Sequence, residues 1–233
     1  MTYHIETFLV SPYQQNARII IDLEKRRALM IDPGDDVHCL MAFIEKQEVF
    51  IESILLTHCH IDHAGGVARV YEYIHQKGIQ RPALYFHQNE QALADNIEPY
   101  AEISGLSSKQ FRNVPEPDAY LDIKRPFVFA GQPLVLRFVP GHSPGHVVLF
   151  FNEGAFSFSG AYSMSDFQGP LLIAGDTLFR GSIGRSDLPG GNGELLLSSI
   201  KSQLFSLPDE TVVLSGHGPN TTIGFEKLNN PFF

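Results

Sequence analysis

Three histidines and an aspartate fall within six consecutive positions of this chain, in Thr57-His58-Cys59-His60-Ile61-Asp62-His63. Imidazole nitrogen and carboxylate oxygen are the donors that zinc, iron(II) or manganese take as divalent ions. His58 and His60 alternate across one residue, so in an extended loop both rings project to one side, and Asp62 and His63 fall where a helix should begin. Three more candidate donors each follow an apolar run: His142 in Pro140-Gly141-His142, Asp176 in Gly175-Asp176, and His217 in Gly216-His217-Gly218. Taken singly, a His or Asp after a strand is a turn or capping residue. Seven together exceed the four ligands of one tetrahedral ion and point to two ions.

Neighbouring residues have blander roles. Cys59 points away from its flanking histidines by the same alternation and suits a small buried filler. His146 lies four residues after His142, but Pro144 between them prevents a shared helical face, so it is expected to hydrogen-bond to the site and not to ligate. Asp32 is open between forming a turn and orienting a ligand imidazole. His4, His38, His75 and His87 lack such company and default to surface or capping roles. The adjacent glycines allow sharp turns and close approach.

The elements that must position these groups are short apolar runs alternating with amphipathic stretches, the pattern of an α/β fold. Residues 18–22, 28–31, 54–56, 134–138, 147–151, 171–174 and 212–214 read as strands, and every donor cluster sits just beyond one of them. Helices are expected where Val37, Leu40, Met41 and Ile44 share a face, with Asp35 or Asp36 as cap, and where Val67, Val70, Tyr71 and Ile74 do so before Gly78. A further helix is expected near 88–96, and another through Leu196, Ile200 and Leu204. A hairpin is expected about Ala130-Gly131-Gln132-Pro133. No linker or repeat divides residues 1–233, which reads as a single domain.

The chain has 43% hydrophobic and 18% charged residues, as a folded domain does, and a net charge of −9 that repels nucleic acid and anionic membranes. Two cysteines, Cys39 and Cys59, cannot make a disulfide framework. Without a secretory or membrane-spanning pattern, the expected location is cytoplasmic.

Four ordered motifs, 57–63, Pro140-Gly141-His142-Ser143-Pro144-Gly145-His146, Gly175-Asp176-Thr177-Leu178-Phe179 and Gly216-His217-Gly218-Pro219, resemble those of the metallo-β-lactamase superfamily. Within it they are most similar to the hydroxyacylglutathione hydrolase (glyoxalase II) branch in its compact bacterial form. The resemblance implies an αββα sandwich of two mixed β-sheets flanked by helices. It implies His58, His60 and His142 on a first metal, Asp62, His63 and His217 on a second, Asp176 bridging them, and catalytic roles for Asp62 and Asp176. The two ions would be zinc in the first instance, with iron or manganese as alternatives. The substrate would be a small-molecule thioester, S-D-lactoylglutathione or a related acyl-thiol, cleaved to a hydroxy acid and a free thiol.

Longer members of the branch carry a C-terminal helical segment with basic residues for glutathione, whereas this chain ends soon after His217. Arg185 falls at a basic substrate contact of the family, with an ion pair to Asp187 as its alternative role. Asp187 and Pro219 stand where substrate-contacting tyrosines are found. Residues 152–170 form an insertion that suits either a hairpin or flap over the site or a surface loop. The rival enzyme on this scaffold is a mononuclear iron persulfide dioxygenase, in which Asp62 and His217 would be idle; a metal-binding module without catalysis is a third reading.

Seven donors predict about two divalent ions per chain on metal analysis of the purified protein. Saturation at one iron, with oxygen consumed on adding glutathione persulfide, would select the dioxygenase instead.

Overall fold

The computed structural model describes residues 1–233. Its first six strands are β1 (Thr2–Val10), β2 (Gln15–Asp22), β3 (Arg27–Ile31), β4 (Phe50–Leu55), β5 (Ala83–Phe86) and β6 (Ala119–Tyr120). They continue as β7 (Phe127–Phe129), β8 (Gln132–Phe138), β9 (Val147–Phe151), β10 (Ala155–Gly160), β11 (Phe167–Gln168) and β12 (Leu171–Gly175), then β13 (Leu178–Phe179), β14 (Ser182–Ile183), β15 (Val212–Ser215) and β16 (Thr221–Thr222). The helices are α1 (Val37–Gln47), α2 (Ile61–Ala64), α3 (Val67–Gln76), α4 (Gln91–Ala94), α5 (Ile97–Ile103), α6 (Gly193–Ser199) and α7 (Ile223–Asn229). None is long and apolar enough to cross a membrane.

An eight-stranded sheet runs β11-β10-β1-β2-β3-β4-β5-β6 and a six-stranded sheet runs β16-β15-β12-β9-β8-β7. Both mix parallel and antiparallel pairs: β3, β4 and β5 run parallel, as crossovers through α1 and α3 require, and so do β12 and β15. The unbroken apolar runs in the sequence follow from this layering, because a central strand covered on both faces cannot alternate with polar residues. In β2, every residue of which is buried, Ile20 faces the other sheet, while Ile19 and Ile21 face the helices.

Three apolar layers result, the arrangement of an αββα sandwich. Between the sheets lie Tyr3, Ile5, Leu29 and Leu55 from one and Leu136, Leu149, Phe151 and Ile173 from the other. Outside the larger sheet, Val37, Leu40, Met41 and Ile44 of α1 and Val67, Val70 and Ile74 of α3 cover Met30 and Ile54. Outside the smaller sheet, Leu196, Ile200 and Leu204 cover Val148, Leu172 and Val213. The expected face of Leu196, Ile200 and Leu204 is present, although its second half is a π-type turn in which Phe205 N–H donates to Ile200 O at 3.0 Å. The hairpin closes on Ala130 and Gly131, both in the left-handed region that a two-residue turn demands.

Two expectations differ from the structure. Asp36 stands at the start of α1 but gives it no side-chain cap; its carboxylate accepts from Ser11 N–H at 3.0 Å, and Asp35 is occupied by Arg69 and Gln110. Residues 152–170 form a hairpin, β10 pairing antiparallel with β11, but it does not cover the site: none of its residues lines the cavity. β10 pairs in parallel with β1 from Thr2–Ala155 to Thr7–Gly160, and Phe156 enters the space between the sheets, its ring 5.6 Å from both Tyr3 and Phe151. The aromatic content of the insertion serves this packing.

Phe156→Ala should lower stability by about 3–5 kcal/mol, the usual cost of emptying a large aromatic site. The check is a urea unfolding midpoint; a shift below about 1 kcal/mol would mean that the insertion docks only loosely.

Candidate metal centre

The ends of β4, β12 and β15, and the turn beyond β8, lie at one edge of the sandwich, and the seven candidate donors converge there. His58, His60 and His142 place one ring nitrogen each within 4.8 Å of one another, and Asp62, His63 and His217 form a second such group. Asp176 lies between them, with Oδ1 3.3 Å from His63 Nε2 and Oδ2 3.7 Å from His142 Nε2 and 3.5 Å from His217 Nε2.

The hydrogen-bond network assigns the tautomers. Thr57 gives its one hydroxyl proton to Asp32 Oδ2 at 2.6 Å, so at its 3.0 Å contact with His58 Nδ1 it can only accept. His142 Nδ1 donates to the carbonyl of Arg185 at 2.7 Å, and His63 Nδ1 donates to Asp32 Oδ2 at 2.9 Å. All three therefore turn Nε2 inward, His58 and His142 as bare lone pairs. His58 Nε2 and His142 Nε2, two acceptors, face each other at 3.1 Å, and His60 Nδ1 stands 2.9 Å from His142 Nε2. Across the site, His63 Nε2 and Asp176 Oδ1 are buried without a hydrogen-bond partner. Lone pairs aimed at lone pairs are what a cation between them would satisfy, so the donor set fits divalent metal.

The electrostatics agree. Burial pushes His58 well below the usual imidazole range, and burial together with His142 brings His60 down to about 3, so both rings stay neutral and able to ligate. Against burial, Asp176 and Asp62 raise His63 well above the usual imidazole range, and the proton so held on its Nε2 keeps both carboxyls below their ordinary range; a divalent ion would take the place of that proton. Asp32 combines its two expected roles. It occupies a left-handed turn at φ 48° and also fixes His63, Thr57 Oγ1 and Thr57 N–H. His146 is not a ligand: its Nε2 accepts from Asp176 N–H at 3.1 Å, and its ring stacks 4.8 Å from that of His58. Cys59 is buried in the helix-side core as expected. Two glycines are required by crowding: a Cβ on Gly216 would lie 2.1 Å from Asp176 Oδ1, and one on Gly175, at φ 49°, would lie 2.7 Å from His146 Nε2.

A cavity of about 550 Å³ opens beside the centre, and His60, Asp62, His142, Asp176 and His217 line its floor. Arg185 also lines it. Its side chain is exposed and held by Asp187 through two 2.7 Å bonds, the alternative role expected for it, while its carbonyl orients His142.

Residues 10–217 match the model of the metallo-β-lactamase superfamily. The chain is 38% identical over 227 residues to a probable metallo-hydrolase of Bacillus subtilis, YqgX, spanning 96% of this chain and 94% of that protein. It is 34% identical over 236 residues to the hydroxyacylglutathione hydrolase GloC of Haemophilus influenzae, spanning 98% and 97%. Among solved structures, the B3 metallo-β-lactamase BLEG-1 superposes with a TM-score of 0.79 at 31% identity over 98% of each chain. The di-iron-bound form of TTHA1623 superposes with 0.76 at 33% identity over 97% and 99%.

Two supporting residues escaped the sequence reading. Arg18 is fully buried behind the centre and donates to the carbonyls of Ser215 at 2.8 Å and Asn16 at 3.3 Å; burial lowers its pKa to about 10, so it remains a cation near Asp32 and Asp176. Glu90 joins the two histidine-bearing loops. Its Oε2 accepts from Cys59 N–H at 2.7 Å, and its Oε1 accepts from Ser143 Oγ at 2.7 Å and Gly145 N–H at 2.5 Å. An acid in a helical stretch after a strand carries no local signal of this, since its partners lie 31, 53 and 55 residues away.

Glu90→Gln turns an amide N–H₂ toward one of these donors. The expected outcome is a folded protein about 1–3 kcal/mol less stable, with affinity for its first divalent ion weakened about 10- to 100-fold. Zinc titration against a competing chelator measures it; unchanged affinity would make Glu90 a packing group only.

Proposed function

The chain belongs to the metallo-β-lactamase superfamily, and on that premise we propose that it is a metal-dependent hydrolase of thioesters, acting on S-D-lactoylglutathione or a related acyl-thiol. The observation that carries the proposal is Asp176 standing between two donor triads on the floor of an open cavity. The similarity to a hydroxyacylglutathione hydrolase over nearly the whole chain supports the choice of bond. Residues 1–233 act as one catalytic domain in this proposal.

His58 Nε2, His60 Nδ1 and His142 Nε2 would hold one ion, Asp62, His63 and His217 the other, and Asp176 both. Zinc is the first choice, and iron, which the di-iron-bound relative carries, or manganese suits the same donors. Such ions acidify water enough for it to act as a nucleophile near neutral pH, and they polarise a carbonyl. The protein does the rest. Asp62, kept ionised by His63 and His217 and partly open to the cavity, can accept a hydrogen bond from the attacking water and hold it in line with the carbonyl carbon. Asp32, Thr57 and the Arg185 carbonyl keep His63, His58 and His142 from rotating during this step. The thiolate departs without a strong general acid, because a thiol is far more acidic than an amine. Arg185 would contact a substrate carboxylate by exchanging it for Asp187 at the cavity rim.

Asp176→Ala should abolish hydrolysis of S-lactoylglutathione while circular dichroism shows a retained fold; wild-type turnover by this variant would refute a two-ion mechanism. Arg185→Ala should raise KM about tenfold, the size expected for one charged contact, with little change in kcat. Cleavage of a chromogenic β-lactam with no thioester cleaved would transfer the assignment to the activity named for the B3 relative.

A further inference from the structure

A lactoyl group is small and polar, whereas the cavity beside the centre is roomy and largely apolar. Beyond the metal-side residues its walls are Leu93 and Ile97 with Tyr100 on α4 and α5, facing Ile183, Leu188 and Pro189. A second depression of about 430 Å³ adjoins it, sharing Leu93, Tyr100 and Pro189 and continuing over Pro99 and Ile103. Ile103, at the far end of this depression, is 83% exposed and open to a ligand. Of all the lysines and arginines, Arg185 alone lines the cavity, none lines the depression, and Arg185 is already engaged by Asp187 at the rim.

We propose that the acyl group of the preferred thioester is an uncharged aliphatic chain, longer than lactoyl, lying in this groove against Leu93, Tyr100 and Ile103. The inference rests on the thioester reading above and specifies its substrate class. A methylene leaving water for such a wall gains free energy, whereas a carboxylate or sugar there would lose its hydration with no cation to replace it. The scissile carbonyl stays over the donor triads: water oxygen bonds to the carbonyl carbon, the C–S bond breaks, sulfur takes the electron pair, and the water protons go to sulfur and to solvent. The products are a fatty carboxylate and a thiol, with no oxidant or reductant involved.

The test uses the metal-loaded protein and thioesters of one thiol, N-acetylcysteamine, with acetyl, butanoyl, hexanoyl and octanoyl groups, beside S-lactoylglutathione. The expected kcat/KM rises about threefold per methylene along the series. Ile103→Asp, on an exposed position that should leave folding intact, is expected to cut octanoyl turnover about tenfold and leave acetyl turnover unchanged. Uncleavable S-alkyl thioethers of the same thiol, measured by calorimetry, should bind with the same dependence on chain length. Equal kcat/KM and equal thioether affinity at every length would overturn the inference. Cleavage of no thioester would instead overturn the reaction proposed above, and the thioether slope would still decide whether the groove takes an aliphatic chain.

Discussion

Imidazole rings and carboxylates are pressed together at one buried edge of this molecule, and the lone pairs of His58 and His142, left to themselves, would move apart. His58 Nε2 and His142 Nε2 at 3.1 Å repel one another in a setting too dry for water to intervene. Everything around the centre answers that repulsion. Asp32 takes two donors from Thr57 and one from His63, so a single carboxylate fixes members of both triads. Glu90 ties the loop carrying His58 and His60 to the loop carrying His142. The Arg18 cation offsets the acids from behind, and its own desolvation is met by the Ser215 and Asn16 carbonyls.

Such preorganisation needs rigid supports, which explains the placement of the donors beyond strand ends. Each strand that leads into a donor loop belongs to a sheet covered on both faces, so a loop residue inherits the stiffness of three apolar layers. Loop backbones also approach so closely that glycine is demanded at 175 and 216. A methyl group at 216 would displace Asp176 itself, and one at 175 would displace Thr57 and His146, which support the donors.

Much of this was visible in the residues alone. The strands that lead to the site, two helical faces and the seven groups that converge at the sheet edge could be read because their signals are local: an apolar run, a three-four periodicity, a histidine after a turn. What stayed hidden is nonlocal. Glu90 and Arg18 look like surface charges in an amphipathic stretch and a strand, and only the folding of distant loops onto them shows otherwise. The 152–170 insertion was legible as a hairpin but not in its position, for a related reason: its Phe156 is claimed by Tyr3, far away in sequence near the N-terminus. The helix start at Asp36 likewise went to a tertiary partner, Ser11, in place of its own amides.

Arg185 divides its labour between backbone and side chain. The carbonyl that orients His142 is present whatever residue occupies the position, while the guanidinium at the cavity rim belongs to arginine alone. A substitution here therefore changes the chemistry of the rim without removing the bond that orients His142. The position is thus uncoupled: under the proposed function, single substitutions there would retune the cavity mouth while the bond that orients His142 is kept.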